Sequence, residues 1–402
     1  MISRVRFEIR LIFASFLIFW LVFVSGAVLF HNNNRIYLLV TASIIILVPF
    51  FTYKQFTVKV LPIFFISVIS IYAIISMLWN GDTSNFFPYF GIILRIWFVF
   101  IVATSIKYRE FTRLFSDIVL LLSVSSLVFY ILGISYPSIA LGLPIIKDAS
   151  GSLYLNAWIY VYKLPLTVGV LSRNYSVFWE PGAYQALLNL GLFLEIQTYG
   201  LKRTFRIVIF IVTIITTLST SGYIILLLIV AFFIYPRIKA TIYRLVTIMV
   251  TITTFIIAKP LLDSVLLDKL SMDSGSFSRR YSDFIVDLAV AASSPFLGVG
   301  YLTYYKQFEK IMGDAGSSSS NSITASIAFF GFFAIMYVLS NYLLYAKSMT
   351  KSKTEAFALV LILVVVFSTE NFLFAPVWLI LPVYGLSLYK RNRRSYYGHL
   401  HK

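Results

Sequence analysis

Residues 11–30, LIFASFLIFWLVFVSGAVLF, run the full length of a bilayer-crossing helix without one charged side chain. A helix rises about 1.5 Å per residue, so roughly twenty apolar residues traverse a hydrocarbon layer of about 30 Å. Arg4, Arg6 and Arg10 stand just before the run, as they would in a secretory leader. The apolar stretch is too long for a leader's core, however, and lacks a small-residue cleavage site. It therefore reads as a retained first span. The same ruler places further spans near 36–51, 60–79, 88–105, 114–134, 181–199, 205–219, 222–236, 243–259, 321–345, 355–369 and 371–389. The expected fold class is an all-α polytopic membrane protein, one integral domain over residues 1–402 with about twelve transmembrane helices.

Composition agrees with that reading. The chain is 59% hydrophobic and only 12% charged, which excludes an ordinary soluble domain. Its net charge of +17 could suit nucleic acid, but no soluble basic domain exists to carry such binding. Basic residues in membrane proteins concentrate in cytoplasmic loops. With a cytoplasmic N-terminus, the segments 1–10, 52–59, 106–113, 200–206, 237–244, 346–354 and the tail after 389 hold about two thirds of the 33 Lys and Arg. Both termini are therefore expected in the cytoplasm. There is no Cys, so disulfides, thiolate catalysis and thiolate-held metals are excluded, and the three His, His31, His399 and His401, form no ligand cluster. No metal and no cofactor is expected.

Two connections on the opposite, extracytoplasmic side are long: 135–180 and 260–320. Long segments between packed helices are most often functional. The first is rich in aromatics (YLNAWIYVYKLP, NYSVFW), suited to the membrane interface and to stacking on sugar faces. The second predicts a helix over about 278–292, begun at Ser and stopped before SSP, after which GVG turns the chain into another amphipathic stretch.

A few charges need a reason. Arg95, in GIILRIWFVF, falls inside a span, where an unpaired Arg costs about 3 kcal/mol, so it should face the bundle interior. Glu195 is its natural partner, and an ion pair that fixes register competes with a role in ligand binding. Glu180 precedes Pro181 and Gly182 at the start of a span; it reads as a helix cap, or as a carboxylate that also works on substrate at the mouth of the bundle. Arg173 in the first long segment and Arg279 and Arg280 in the second lie on the same side. Converging, they would suit a phosphate-bearing lipid, because a guanidinium forks onto phosphate oxygens. Glu370, in the outer turn STEN, is expected to be solvated, with facing the site as the lesser alternative. Asn321, after a serine run, reads as a cap and a candidate substrate contact, and TLSTSGY at 217–223 reads as a hairpin turn with room for a sugar or phosphate.

Taken in order, RNYSVFWEPGAY, TLSTSGYI, GSFSRRYSDF with SSPFLGVGY, and SSNSITASIAFFG resemble the successive blocks of the O-antigen and capsule repeat-unit polymerases of the Wzy type and of their relatives, the O-antigen ligases. The resemblance covers about residues 170–345. It implies a C-type glycosyltransferase architecture and an undecaprenyl-diphosphate-linked glycan as donor, with a lipid-linked repeat unit as acceptor. It also implies that Arg173, Arg279 and Arg280 hold the lipid diphosphate. A flippase and a chain-length regulator are the expected protein neighbours in a bacterial cytoplasmic membrane, and no nucleic acid is expected. Ligases of this group carry a His near the block that here reads SSNSI; the chain has no His between 32 and 398, which disfavours a His-dependent ligase. The reading is a glycan polymerase with Glu180 as base or hydroxyl contact. Its rivals from other classes are a lipid-linked oligosaccharide flippase, which should have short loops and a central charged cavity, and a structural assembly partner.

Overall fold

The computed structural model describes residues 2–29, 34–52, 59–148, 151–164, 173–238, 276–313 and 319–388. The expected span 243–259, the start of the second long segment and the basic tail lie outside the described residues. Five helices open the chain: α1 (Ile2–Phe23), α2 (Asn34–Thr52), α3 (Val60–Trp79), α4 (Phe87–Ser105) and α5 (Tyr108–Ser135). A short α6 (Pro137–Leu141) leads into three strands, β1 (Ile145–Lys147), β2 (Leu153–Asn156) and β3 (Val161–Lys163). There follow α7 (Pro181–Tyr199), α8 (Thr204–Thr216), α9 (Thr220–Ile229, prolonged by a π turn to Ile234), α10 (Ser276–Ser293) and α11 (Tyr301–Met312). The last four are α12 (Ser322–Phe330), α13 (Phe332–Met349), α14 (Lys353–Thr369) and α15 (Pro376–Leu388).

The protein is predominantly helical and membrane-type. Four helical stretches, Val60–Trp79, Phe87–Ser105, Tyr108–Ser135 and Thr220–Arg237, are long and apolar enough to cross a membrane; Arg10–Phe23, Arg35–Pro49, Thr204–Thr216 and Pro376–Leu388 are apolar but shorter. Large apolar side chains such as Leu39, Ile46, Phe64, Ile74 and Ile75 lie exposed on the outer helix faces, which suits a hydrocarbon surrounding better than water.

Two helices form the centre. Every residue of α7 from Pro181 to Ile196 is buried, as is α15 from Pro376 to Leu386, and a helix apolar on all sides belongs in the interior. α7 packs against α5, α8 and α9, and α15 against α13, α4 and α3. The polar residues of α7 are satisfied internally: Asn189 Nδ2 donates to the Gln185 carbonyl at 3.0 Å, and Gln185 Nε2 to Ser221 Oγ at 3.2 Å. Glu195 accepts from Ser116 Oγ at 2.6 Å and lies 3.5 Å from Arg206 Nε and 3.7 Å from Arg203 Nη1. The expected Arg95–Glu195 pair is thus not formed, because Glu195 is held at the other end of the bundle by arginines of the α7–α8 turn and α8.

Three expectations from hydropathy are corrected. The span 321–345 is two helices, broken at Gly331, whose φ of +86° only glycine adopts without strain. The break is filled by the PFLGVG segment: Val299 and Gly300 N–H donate to the carbonyls of Ala328 and Phe329 at 2.8 and 3.2 Å, and Phe332 N–H donates to the Pro295 carbonyl at 2.8 Å. Backbone groups freed by the break are therefore paired rather than left bare. The span 371–389 begins instead at Pro376, and 11–30 ends at Phe23, after which the chain turns and Val28 N–H pairs with the Val177 carbonyl at 2.9 Å.

The fold is also not purely α. IIK, LYLN and VYK form an antiparallel sheet in the order β1-β2-β3, with Ile146 opposite Tyr154 and Leu155 opposite Tyr162. Branched and aromatic residues favour such pairing, and here the aromatics build their own small core. Tyr160 and Tyr162 are buried with Leu155 and Tyr130, and Tyr162 Oη donates to the Phe129 carbonyl of α5 at 2.7 Å. These tyrosines therefore do not lie flat on a membrane interface.

In the second long segment, the helix expected over 278–292 is α10. Its acidic face points inward and its apolar residues, Phe284, Ile285 and Leu288, face out. Asp287 is buried and accepts from Thr324 Oγ1 (2.6 Å), Tyr304 Oη (2.6 Å) and Ser319 Oγ (2.8 Å), tying α10 to α11 and α12. Burial outweighs these donors and, with nearby Asp283, pushes its carboxyl from 3.8 up to about 6. A folded-state pKa above the unfolded value means the folded chain holds the proton longer, so stability is greatest below pH 4 and is lost as pH rises through 6. The loss should be about 3 kcal/mol between those limits. Thermal unfolding of purified protein is expected at a higher temperature at pH 5 than at pH 8, and Asp287→Asn should flatten that difference. An equally steep dependence in the Asn variant would assign it to another group.

Candidate functional site

Several elements meet at one end of the bundle. The N-termini of α7, α12 and α15, the C-termini of α1 and α14, and parts of α4, α10, α11 and the sheet enclose a cleft of about 870 Å³. Three helix N-termini converge there, their dipoles offset in part by the C-terminal ends of α1 and α14. Two are capped internally: Asn321 Oδ1 accepts from Ile323 and Thr324 N–H at 3.1 and 3.2 Å, and Ser25 Oγ accepts from Val377 N–H at 2.9 Å. The third is not. Glu180 occupies the N-cap position of α7 with extended backbone, but its side chain makes no capping bond and lines the cleft. The capping role therefore does not account for Glu180. Tyr154 of β2 donates to the carbonyl of Trp179 at 2.8 Å and so fixes the residue before it.

Of the residues singled out in the sequence, Glu180, Arg95, Arg279 and Arg280 line this cleft together. Arg95 enters from mid-α4 and lies beside Tyr301, whose phenol is raised by burial while the Arg95 charge opposes that rise. Arg280 Nη2 stands 3.9 Å from Glu370 Oε1. Arg173 and Asn321 do not line it. Arg173 Nε donates to the Thr217 carbonyl at 3.1 Å, and Asn174 Nδ2 to Thr216 Oγ1 at 3.0 Å, so RNYS and TLSTS are locked together beside the cleft. Asn321 serves as the cap of α12.

Glu370 is the residue that sequence reasoning placed wrongly. It is 1% exposed, not solvated, because α14 ends at Thr369 and the following turn folds back under α7. A Cβ on Gly182 would come within 2.0 Å of Glu370 Oε1, so the Pro-Gly start of α7 makes room for that carboxyl. Neither Glu370 oxygen accepts a hydrogen bond. Burial first, then the Glu180 charge, raise its pKa well above the ordinary carboxylate range, and the Arg280 and Arg173 charges only partly offset this. A signal did exist: Glu370 is the last carboxylate in the chain, alone in a strongly apolar stretch. Tyr301, Tyr305, Lys163 and Asp148 also line the cleft and carried no signal.

Four cationic side chains, Arg95, Lys163, Arg279 and Arg280, therefore face four carboxyls. Asp148 accepts from Ser152 N–H at 2.8 Å and Asp283 from Ser320 N–H and Oγ at 2.9 and 2.8 Å. Among the described residues no group of His, Cys, Asp and Glu is arranged to hold a metal ion. No protein-family profile matches the chain, and no curated protein matches it.

Proposed function

We propose that the protein is a glycan polymerase of the Wzy type, a membrane glycosyltransferase that moves a growing glycan from undecaprenyl diphosphate onto the terminal hydroxyl of a lipid-linked repeat unit. The observation that carries this reading is the meeting of Arg95, Arg279 and Arg280 with the Glu180–Glu370 pair in one cleft. The bond between the anomeric carbon and the diphosphate oxygen breaks and one to the acceptor oxygen forms. The guanidiniums take up the charge on the departing diphosphate, and Glu180 accepts the hydroxyl proton. A diphosphate is already a good leaving group, so most of the work is alignment of two lipid-held reactants. Trp179, partly exposed on the cleft wall, offers a face for a sugar ring. In this reading the chain spans the bacterial cytoplasmic membrane about twelve times, with both termini inside and the cleft on the outer face.

Purified protein in vesicles, given a lipid-linked repeat unit, should produce a ladder of longer glycans. Translocation without elongation would make it a flippase; neither activity would leave a structural partner. Glu370 adds a pH signature. Its pKa is raised by burial and by the Glu180 charge, so as pH rises through that raised pKa a second negative charge develops beside Glu180. Elongation should therefore decline on the alkaline side, and Glu370→Gln, which is neutral throughout, should work near pH 7 and lose that decline. An unchanged alkaline limb in the Gln variant would separate Glu370 from the chemistry.

A further inference from the structure

The small sheet has two unlike ends. At one, around the β1–β2 turn, Lys147 stands opposite Leu153 and Lys163 opposite Tyr154, and Asp148 and Lys163 line the cleft. The other end is the β2–β3 turn, Ala157 to Tyr160. No charged residue occurs from 134 to 146 or from 153 to 162, so the charges of this region gather at the cleft. Trp158, at the tip of the turn, is 74% exposed, and Ile159 beside it is exposed too. Trp158 has a φ of +66°, a conformation that a bulky residue adopts only under constraint. Here the constraint is local: Trp158 N–H donates to Asn156 Oδ1 and Ala157 N–H to the Tyr160 carbonyl, both at 2.9 Å. The turn keeps a large apolar ring in the open.

What lies outside that turn follows from α5. Tyr160 stacks on Phe129 with ring centres 5.8 Å apart, and a Cβ on Gly133 would come within 2.3 Å of Tyr162 Cε1, so the sheet is pressed onto the last two turns of α5. This helix is long and apolar enough to cross a membrane, and its charged residues end at Asp117. A hydrocarbon crossing of about twenty residues from there reaches the far interface near the start of α6. Leu121, Val124, Val128 and Ile131, spaced three or four apart, form one exposed apolar stripe along α5, and Ile139 and Leu141 of α6 continue it. We infer that the β2–β3 turn and α6 are seated in the membrane leaflet on the cleft's side, with Trp158 and Ile159 as the anchor. Bilayer lipid is the occupant because the patch prolongs the apolar stripe of α5, carries no charge and ends in an indole, whose apolar body and polar N–H suit the headgroup boundary. The anchor sets the height of one cleft wall, since the same strands carry Tyr154 and Lys163. It stands on the membrane character of the chain and not on the polymerase reading.

The chain has no Cys, so a single introduced one carries a nitroxide cleanly. In the full-length protein in lipid nanodiscs, a label at Ile159→Cys should collide with oxygen, which concentrates in lipid, and be shielded from a water-soluble nickel chelate. At Lys147→Cys, on the charged end of the sheet, the preference should reverse. The oxygen-to-nickel collision ratio is expected to be at least fivefold higher at 159 than at 147. Adding Trp158→Asp to the Ile159→Cys protein should lower that ratio at least threefold, and Trp158→Ser serves if the Asp variant does not fold. A label at 159 as open to nickel as the one at 147, or a ratio indifferent to both Trp158 variants, would overturn the anchor. Protection of 159 from both reagents would overturn it too and make the turn an interface with protein.

Discussion

Arg280→Lys is expected to leave the protein folded and to shorten its product from long polymer toward single repeat units. Arg280 is half-buried at the start of α10, with its guanidinium 3.9 Å from the buried Glu370. Lys keeps the charge but loses the fork that grips two phosphate oxygens. A charged hydrogen bond in such a site contributes about 1.5 to 3 kcal/mol, a 10- to 150-fold loss of rate if expressed in the transition state. Arg279 lines the same cleft but is exposed, and neighbouring residues on a helix point about 100° apart, so Arg279→Lys should cost less. Arg173→Lys should also shorten the polymer, through loss of the Thr217 tether and of the charge acting on Glu370. Chain length on a gel at matched protein levels measures all three. Normal polymer in Arg280→Lys and Arg280→Ala would return that residue to lipid-headgroup contact.

Gly331→Ala should be strongly destabilising, and Gly298→Ala nearly its equal. Each glycine has a positive φ, +86° and +71°, and each lacks room for a Cβ. The added atom would stand 2.0 Å from the Phe296 carbonyl oxygen at Gly331 and 2.2 Å from the Phe329 carbonyl oxygen at Gly298. The obstacle in both cases is backbone, which cannot swing aside as a side chain does. Strain of about 1 to 3 kcal/mol and overpacking of similar size together approach the whole stability of a typical domain. Gly313→Ala is the control: φ is +70° but nothing lies within 4 Å, so only the strain applies. Size-exclusion profiles and thermal unfolding should show little folded Gly331→Ala and nearly intact Gly313→Ala. Equal behaviour of the two would mean that the 295–300 segment does not pack against the break.

Much of this was readable from residue order, and the exceptions share a cause. Apolar runs located α2, α3, α4, α5, α7, α8 and α9 within a few residues, because helix length against a bilayer is a property of the local sequence. Ser278 and the SSP stop likewise marked α10. Hydropathy could not see Gly331, since AFFGFFA is apolar on both sides of the break; what ends α12 there is a partner segment some thirty residues earlier. The sheet was hidden because its strands are three or four residues long. Glu180, Arg95, Arg279 and Arg280 could be picked out as charges that cost too much to be idle. Glu370 was misread because a turn residue is solvated only if nothing packs over it, and here the first turn of α7 does. Arg95 was given the wrong partner because the two residues lie at different depths: Arg95 reaches the cleft, while Glu195 is held by Arg203 and Arg206 at the other end of the bundle.

The central claim is that this cleft holds a lipid diphosphate. The most direct measurement is a cryo-electron microscopy structure of the protein with undecaprenyl diphosphate. The account predicts diphosphate density in the cleft within hydrogen-bonding reach of Arg280 and Arg95, with Glu180 adjacent. An empty cleft with the diphosphate bound elsewhere on the protein would contradict it.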